Sequence, residues 1–199
     1  MLTPTPPTLS DGTKVVDLVN VATREVQMRA LSDPELYELE MEQIFGKIWV
    51  FLGHESEIPN SGDFITRDMG SDSVLVTRDK SGEVHVLLNL CTHRGMRVST
   101  LDAGNTQIHT CIYHGWAFRP NGSFLGAPVE KETMYGKMMS KDELGLKKAR
   151  VTLYGGLIFA TWNIDGPSFD EFLGDAKWYY DILFKRTDKG MEVLGPPQR

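Results

Sequence analysis

The 199-residue sequence has only two cysteines, Cys91 and Cys111. That is too few for a disulfide scaffold of this length, so a reducing, cytoplasmic setting is expected and both thiols are free for other work. No apolar run reaches the ~18–20 residues of a membrane span, so no membrane partner is expected. A basic excess is lacking too: 21 Lys and Arg stand against 27 Asp and Glu, a net charge of −6. A nucleic-acid face normally shows the opposite balance, so no nucleic acid is expected as a partner. The start, Met1-Leu-Thr-Pro-Thr-Pro-Pro-Thr8, has neither the basic nor the apolar region of a secretory signal. No Ser-His-Asp arrangement, phosphate-binding glycine loop or dinucleotide fingerprint occurs. What remains is ordinary globular composition, 41% apolar and 24% charged, with room for one large domain or two small ones.

Residues 1–13 are expected to form a disordered tail, because Pro4, Pro6 and Pro7 remove backbone donors and little apolar surface is present. A helical arm over 14–46 follows, with a helix at 32–46. Ser32 and Glu35 have capping-box spacing, and Pro34 sits in the first turn. Tyr37, Met41, Ile44, Phe45 and Ile48 share one face, read as core. From residue 47 the pattern changes to short β-rich runs, with strands expected at 48–52, 64–67, 74–78, 84–88, 107–110, 116–119, 123–125 and 157–162. Asp79-Lys-Ser-Gly82 and Pro120-Asn-Gly122 read as hairpin turns, the second as type I′. Such a series implies a small antiparallel barrel or sandwich, and with flanking helices a mostly β, α+β fold. After Pro167, Ser168 caps a short helix through Phe172, and Lys177–Lys185 suggests another.

Each cysteine has a histidine close behind it. Cys91-Thr-His93 and Cys111-Ile-Tyr-His114 give the pattern C-x-H-x17-C-x2-H. Two metal readings fit these donors: one zinc on Cys2His2, or a [2Fe–2S] cluster with one iron on two Cys and the other on two His. In an extended loop, residues i and i+2 project to one side about 7 Å apart, a reach that suits two metals better than one ion. Zinc fingers also tend to pair like ligands, whereas each loop here carries one of each kind. The spacing therefore favours iron–sulfur over a zinc-stabilised interaction module.

Asn89-Leu-Cys91-Thr-His93-Arg-Gly95 and Cys111-Ile-Tyr-His114-Gly-Trp116 resemble the two Rieske loops of aromatic-ring-hydroxylating dioxygenase α subunits. So do Tyr37-Glu-Leu-Glu-Met-Glu-Gln-Ile-Phe45, Gly53-His-Glu-Ser56 through Gly62-Asp-Phe64, Asp102-Ala-Gly-Asn105 and Gly155-Gly-Leu-Ile-Phe159. The likeness covers roughly 14–199, closest to the branch acting on polycyclic aromatic hydrocarbons. It implies that Cys91 and Cys111 hold one iron, and His93 and His114 the other. It also implies a Rieske domain over 47–165 and, at 166–199, the start of a truncated catalytic domain. That missing domain would carry a mononuclear Fe(II) on two His and a carboxylate, where O2 adds to an aromatic hydrocarbon to give a cis-dihydrodiol. Implied partners are a ferredoxin and/or an NAD(P)H-dependent reductase, and a β subunit in an α3β3 assembly. No catalytic residue is expected in the sequence itself, because His54, His85 and His109 lack the triad spacing. The alternative in this class is a stand-alone Rieske ferredoxin.

High-potential respiratory relatives brace their loops with a disulfide whose cysteines would fall at Met96 and Tyr113, and place a hydroxyl donor where Trp116 stands. Lacking both, a cluster here is expected at the low end, about −150 to −50 mV. Of the remaining residues, His54, His85 and His109 read as structural or exposed. Tyr113 and Trp116 shield the cluster or pack in the core. Arg94 and Arg97 steer an acidic ferredoxin or pair internally. Asp102, Gly104 and Asn105 read as a turn.

Overall fold

The computed structural model describes residues 6–128 and 140–195. The chain divides into two compact units, 1–46 and 47–199.

In the first unit the expected tail is corrected wherever it is described; residues 1–5 lie outside the described residues. Leu9 is buried with Leu18 and Leu36, and Thr8 bridges Lys14. The Ser10 N–H and hydroxyl both donate to the Glu35 carboxylate, and Arg29 pairs with Asp11. One leucine with such partners suffices to order the stretch. Strands β1 (Val19–Asn20) and β2 (Glu25–Val26) pair antiparallel. Helix α1 spans Pro34–Glu40 and passes into a π-helical turn, Met41–Phe45. Its cap is Asp33 and not Ser32. A residue before proline is pushed out of the α region, and Asp33, at φ −78° and ψ 121°, accepts the Glu35 N–H. The expected core face is corrected as well. Leu36 and Leu39 turn inward in place of Tyr37, and the wider π turn breaks the 3.6-residue spacing that put Ile44 in line.

The second unit is a stack of layers, all of its strand pairs antiparallel. Its central sheet has the order β6 (Val84–Leu88), β5 (Asp72–Arg78), β4 (Asp63–Met69), β7 (Ala103–Asn105). Alternate side chains of β5 enter different cores. Val74 and Val76 meet Ile65, Val86, Ile158 and Ala160, while Leu75 meets Leu87, Phe118 and both cysteines. Being covered on both faces, β5 is apolar throughout its middle. On the first side lies a sheet of β3 (Val50–His54), β12 (Leu157–Thr161) and β11 (Arg150–Tyr154). Helices α2 (Phe169–Leu173) and α3 (Ala176–Phe184) cover its outer face, packing Phe169, Leu173 and Phe184 on Leu157 and Phe159. Ser168 caps α2 in a capping box with Glu171. On the second side lies a small sheet of β8 (His109–Thr110), β9 (Ala117–Phe118) and β10 (Phe124–Gly126).

Three local expectations change. Residues 103–105 form β7 on the edge of β4, not a turn, and Asn105 Nδ2 donates to Asp63 Oδ1 at 2.7 Å. Strand β11 was not expected at all. The turn at 120–122 is not type I′, because among the described residues Arg24 is the only non-glycine with positive φ. Arg119 N–H donates to Ser123 O and Gly122 N–H to Arg119 O, a three-residue loop with Gly122 alone left-handed.

Candidate metal centre

Both cysteines stand where a strand of the second unit gives way to a tight loop, and the two loops share one backbone design. Cys91 N–H donates to Met96 O and Gly95 N–H to Cys91 O, each at 2.8 Å. Cys111 N–H donates to Trp116 O at 2.8 Å and Gly115 N–H to Cys111 O at 2.9 Å. Gly95 and Gly115 have φ of 71° and 70°, a conformation glycine adopts without strain. Cysteine is thus first and glycine fifth in both. Histidine is third in one loop and fourth in the other, which is why the two motifs differ in spacing.

The sulfurs face inward. Cys91 and Cys111 are 3% and 2% exposed, among Leu75, Leu87, Trp116 and Phe118. The two thiols act on one another, and the backbone N–H groups of His93 and Arg94 act on the Cys91 sulfur. Burial pushes the Cys91 thiol up, the two N–H donors pull it down, and the Cys111 thiol adds to the rise. The imidazoles sit at the rim, half-buried, with His93 and His114 ring centroids 4.7 Å apart. Burial, then the neighbouring His114 and Arg94, hold His93 below the usual imidazole range. Trp116 is buried and lies flat on His93, 4.7 Å between centroids at 7°, so it serves the core and covers an imidazole at once. Exposed Tyr113 lies against His114 at 3.8 Å. Arg94 sits 6.0 Å from the Tyr113 ring, and among the described residues neither Arg94 nor Arg97 forms an ion pair.

The donors therefore sort by kind, sulfur beside sulfur inside and imidazole beside imidazole at the rim. A lone tetrahedral ion needs all four to converge on one point. A [2Fe–2S] group takes thiolates on one iron and imidazoles on the other, and this arrangement fits it. The other three histidines have structural places. His54 Nδ1 accepts the Ser56 N–H. His109 packs on Phe64, and burial pushes it down to about 4, so it is neutral at pH 7. His85 Nε2 lies 2.9 Å from Asp79 Oδ2.

Asp79, Glu83 and His85 are close enough to share an ion, but Asp79 is committed to its hairpin, accepting from the Ser81 and Glu83 N–H groups and the Ser81 hydroxyl. Burial pushes the Asp79 carboxyl up, yet the Ser81 hydroxyl, His85 and the two N–H groups outweigh it and hold it at about 2, below the ordinary 3.8. A depressed carboxyl stabilises the fold fully above its unfolded value and loses that contribution as pH falls through the folded one. The hairpin is expected to hold at about pH 4 and loosen as pH approaches about 2. Carboxyl 13C shifts should show Asp79 titrating near 2; a midpoint at 3.8 would contradict these contacts.

Two residues of the first loop motif, Asn89 and Thr92, support the site through contacts that the motif does not reveal. Asn89, fully buried, bonds Val98 and Ser99 beyond the first loop. Thr92 Oγ1 donates to Leu144 O at 2.7 Å, tying the loop to a segment in which Leu144 and Leu146 enter the core.

The α subunit of biphenyl 2,3-dioxygenase from Rhodococcus jostii (strain RHA1) is 44% identical over 90% of this chain and 39% of its own length. The α subunit of an N,N-dimethyl phenylurea N-demethylase from Sphingobium sp. (strain YBL2) is 44% identical over 84% of this chain and 36% of its own. A solved structure of naphthalene 1,2-dioxygenase from Rhodococcus sp. matches with a TM-score of 0.82 at 42% identity, over 87% of this chain and 39% of that one. The chain thus spans under two fifths of the length of each of these three relatives. The profile of the Rieske [2Fe-2S] domain covers residues 48–148, just over half of the chain and including both cysteine–histidine loops. The chain belongs to the Rieske [2Fe–2S] domain family.

Proposed function

We propose that this chain is the electron-transfer portion of an aromatic-ring-hydroxylating dioxygenase α subunit, with Cys91 and Cys111 on one iron of a [2Fe–2S] cluster and His93 and His114 on the other. The observation that carries the reading is the pair of equal loops, which brings two buried thiols together and sets two imidazoles at the rim. When bound, the group supplies one-electron transfer. The chain's own residues shape its surroundings. Leu75, Leu87 and Phe118 keep water from the sulfurs, and Trp116 covers His93. The half-exposed imidazoles give an outside partner its closest approach. Arg94 and Arg97, on a chain of net charge −6, offer local positive charge to an acidic ferredoxin or to a reductase drawing on NAD(P)H.

On this reading the full-length subunit joins β subunits in an α3β3 assembly, and the mononuclear Fe(II), O2 and the aromatic substrate belong to a catalytic domain that this chain does not span. Segment 166–199 leads toward it. A dioxygenase and an N-demethylase subunit share 44% identity with the chain, which supports electron delivery over substrate choice as the work of this stretch. Helices covering the β12 sheet support an oxygenase component over a free ferredoxin. No helix among the described residues is long and apolar enough to cross a membrane, and the free, buried cysteines suit a cytoplasmic setting.

Protein-film voltammetry at pH 7 tests the role. The expected midpoint is about −150 to −50 mV, suited to a centre fed from NAD(P)H through a ferredoxin. Trp116 occupies the place of a hydroxyl donor and stacks on His93, so that means of stabilising the reduced state is lacking. A midpoint above about +100 mV would contradict the reading and favour a respiratory role.

A further inference from the structure

The two loops are closed by different means. The second is held at its base by a β ladder, with Thr110 opposite Ala117 and His109 opposite Phe118. The first leaves β6 with no such ladder; its base has the isolated bridge Leu90–Arg97 and one long bond, Val98 N–H to Asn89 O at 3.4 Å. Asn89 stands at that base with 0% exposure. A buried amide is costly unless its groups are all met, and here they are met by the chain that leaves the loop and by Ser73 of β5. Its Oδ1 accepts the N–H groups of Val98 at 3.1 Å and Ser99 at 2.9 Å. Its Nδ2 donates to Ser99 O at 2.8 Å and to Ser73 Oγ at 3.2 Å. Asn89 N–H donates to Ser73 O at 2.9 Å, which ties the clamp to β5.

The geometry points to Asn89 as the positioning residue of the first ligand loop: its side-chain amide replaces the missing ladder and fixes Cys91 and His93 relative to the second loop. The inference rests on the reading of those two residues as ligands. Supports of this kind orient ligands without touching the metal.

The test uses the full 199-residue chain with two substitutions and a control. Asn89→Leu keeps the size and removes every side-chain bond. Asn89→Asp keeps the acceptor for Val98 and Ser99 and loses the donor. The control is Thr77→Val, another fully buried side chain of β5, whose hydroxyl donates to Pro120 O instead of the ligand loop. Two properties are followed: the rate at which a chelator strips the cluster, and the EPR spectrum of the reduced protein. Asn89→Leu is expected to lose its cluster on the order of tenfold faster, with shifted or broadened g-values. Asn89→Asp should fall between Leu and wild type. Thr77→Val should lower the melting temperature and leave both properties unchanged. If Asn89→Leu does not fold, Asn89→Asp decides by the same two measurements. Wild-type rates and spectra in the Asn89 variants, or equal changes in Thr77→Val, would overturn the inference. A wild-type chain with no cluster at all would overturn the ligand reading itself, an outcome visible before any variant is made.

Discussion

Cys111→Ala is expected to leave the purified chain colourless, with iron and acid-labile sulfide falling from two of each per [2Fe–2S] group to none. The sequence holds no third cysteine to take its place. Cys111 is clustered with Leu75, Leu87, Trp116 and Phe118, none of which can coordinate iron through oxygen or sulfur, and Met96, packed against them, offers a neutral thioether in place of a thiolate. The fold itself should survive. Removing one small buried side chain costs about 1–2 kcal/mol, and the loop's two backbone hydrogen bonds do not involve the thiol. His114→Ala should also lose the cluster, because the second iron then has a single imidazole. The check is iron, sulfide and zinc analysis beside far-UV circular dichroism. A folded Cys111→Ala chain with full iron would refute the assignment of that residue.

The largest effect on stability is expected from Gly156→Ala. Gly156 has φ of 85°, which costs an L-residue about 1–2 kcal/mol. An added Cβ would also collide with His54 Nε2. That ring cannot swing aside, because its Nδ1 holds the Ser56 N–H at 3.1 Å and the Ser56 hydroxyl at 2.9 Å. The backbone cannot retreat either, since Glu55 N–H donates to Gly156 O at 2.8 Å. Overpacking such a site adds about 1–3 kcal/mol. A total near 3 kcal/mol corresponds to a melting temperature lower by roughly 6–12 °C. Gly82 isolates the steric part. Its φ of 88° is almost the same, but nothing lies within 4 Å of an added Cβ, so Gly82→Ala should cost only about 1–2 kcal/mol. Equal losses in the two variants would remove His54 from the explanation.

His54 and Gly156 also show what a one-dimensional pattern can and cannot tell. Both lie in segments whose likeness to relatives was legible, yet nothing in the string says that they meet; pairing of Leu157 with His54 brings them together. The ligand loops were legible because C-x-H and C-x2-H are local patterns. Their equivalence was not, because it lies in backbone bonds such as Cys91 N–H to Met96 O. The strands from β4 to β6 announced themselves through valine, isoleucine and leucine, whereas β11 did not. Its Arg150–Tyr154 run is only partly buried and is held by register with β12. Pro34 does sit in the first turn, but it also pushes Asp33 out of the α region and so makes Asp33 the cap in place of Ser32. Asn89 is the first residue of the first loop motif, but its role follows from Ser73, Val98 and Ser99, which only the fold brings to it.

The central claim is that two thiols and two imidazoles divide between two irons. Mössbauer spectroscopy of the 57Fe-loaded 199-residue chain tests it most directly. The account predicts two distinct iron sites in equal amounts, one with sulfur-only ligation and one with mixed sulfur and nitrogen ligation. Two identical iron sites, or stoichiometric zinc in place of iron when both metals and sulfide are supplied, would contradict it.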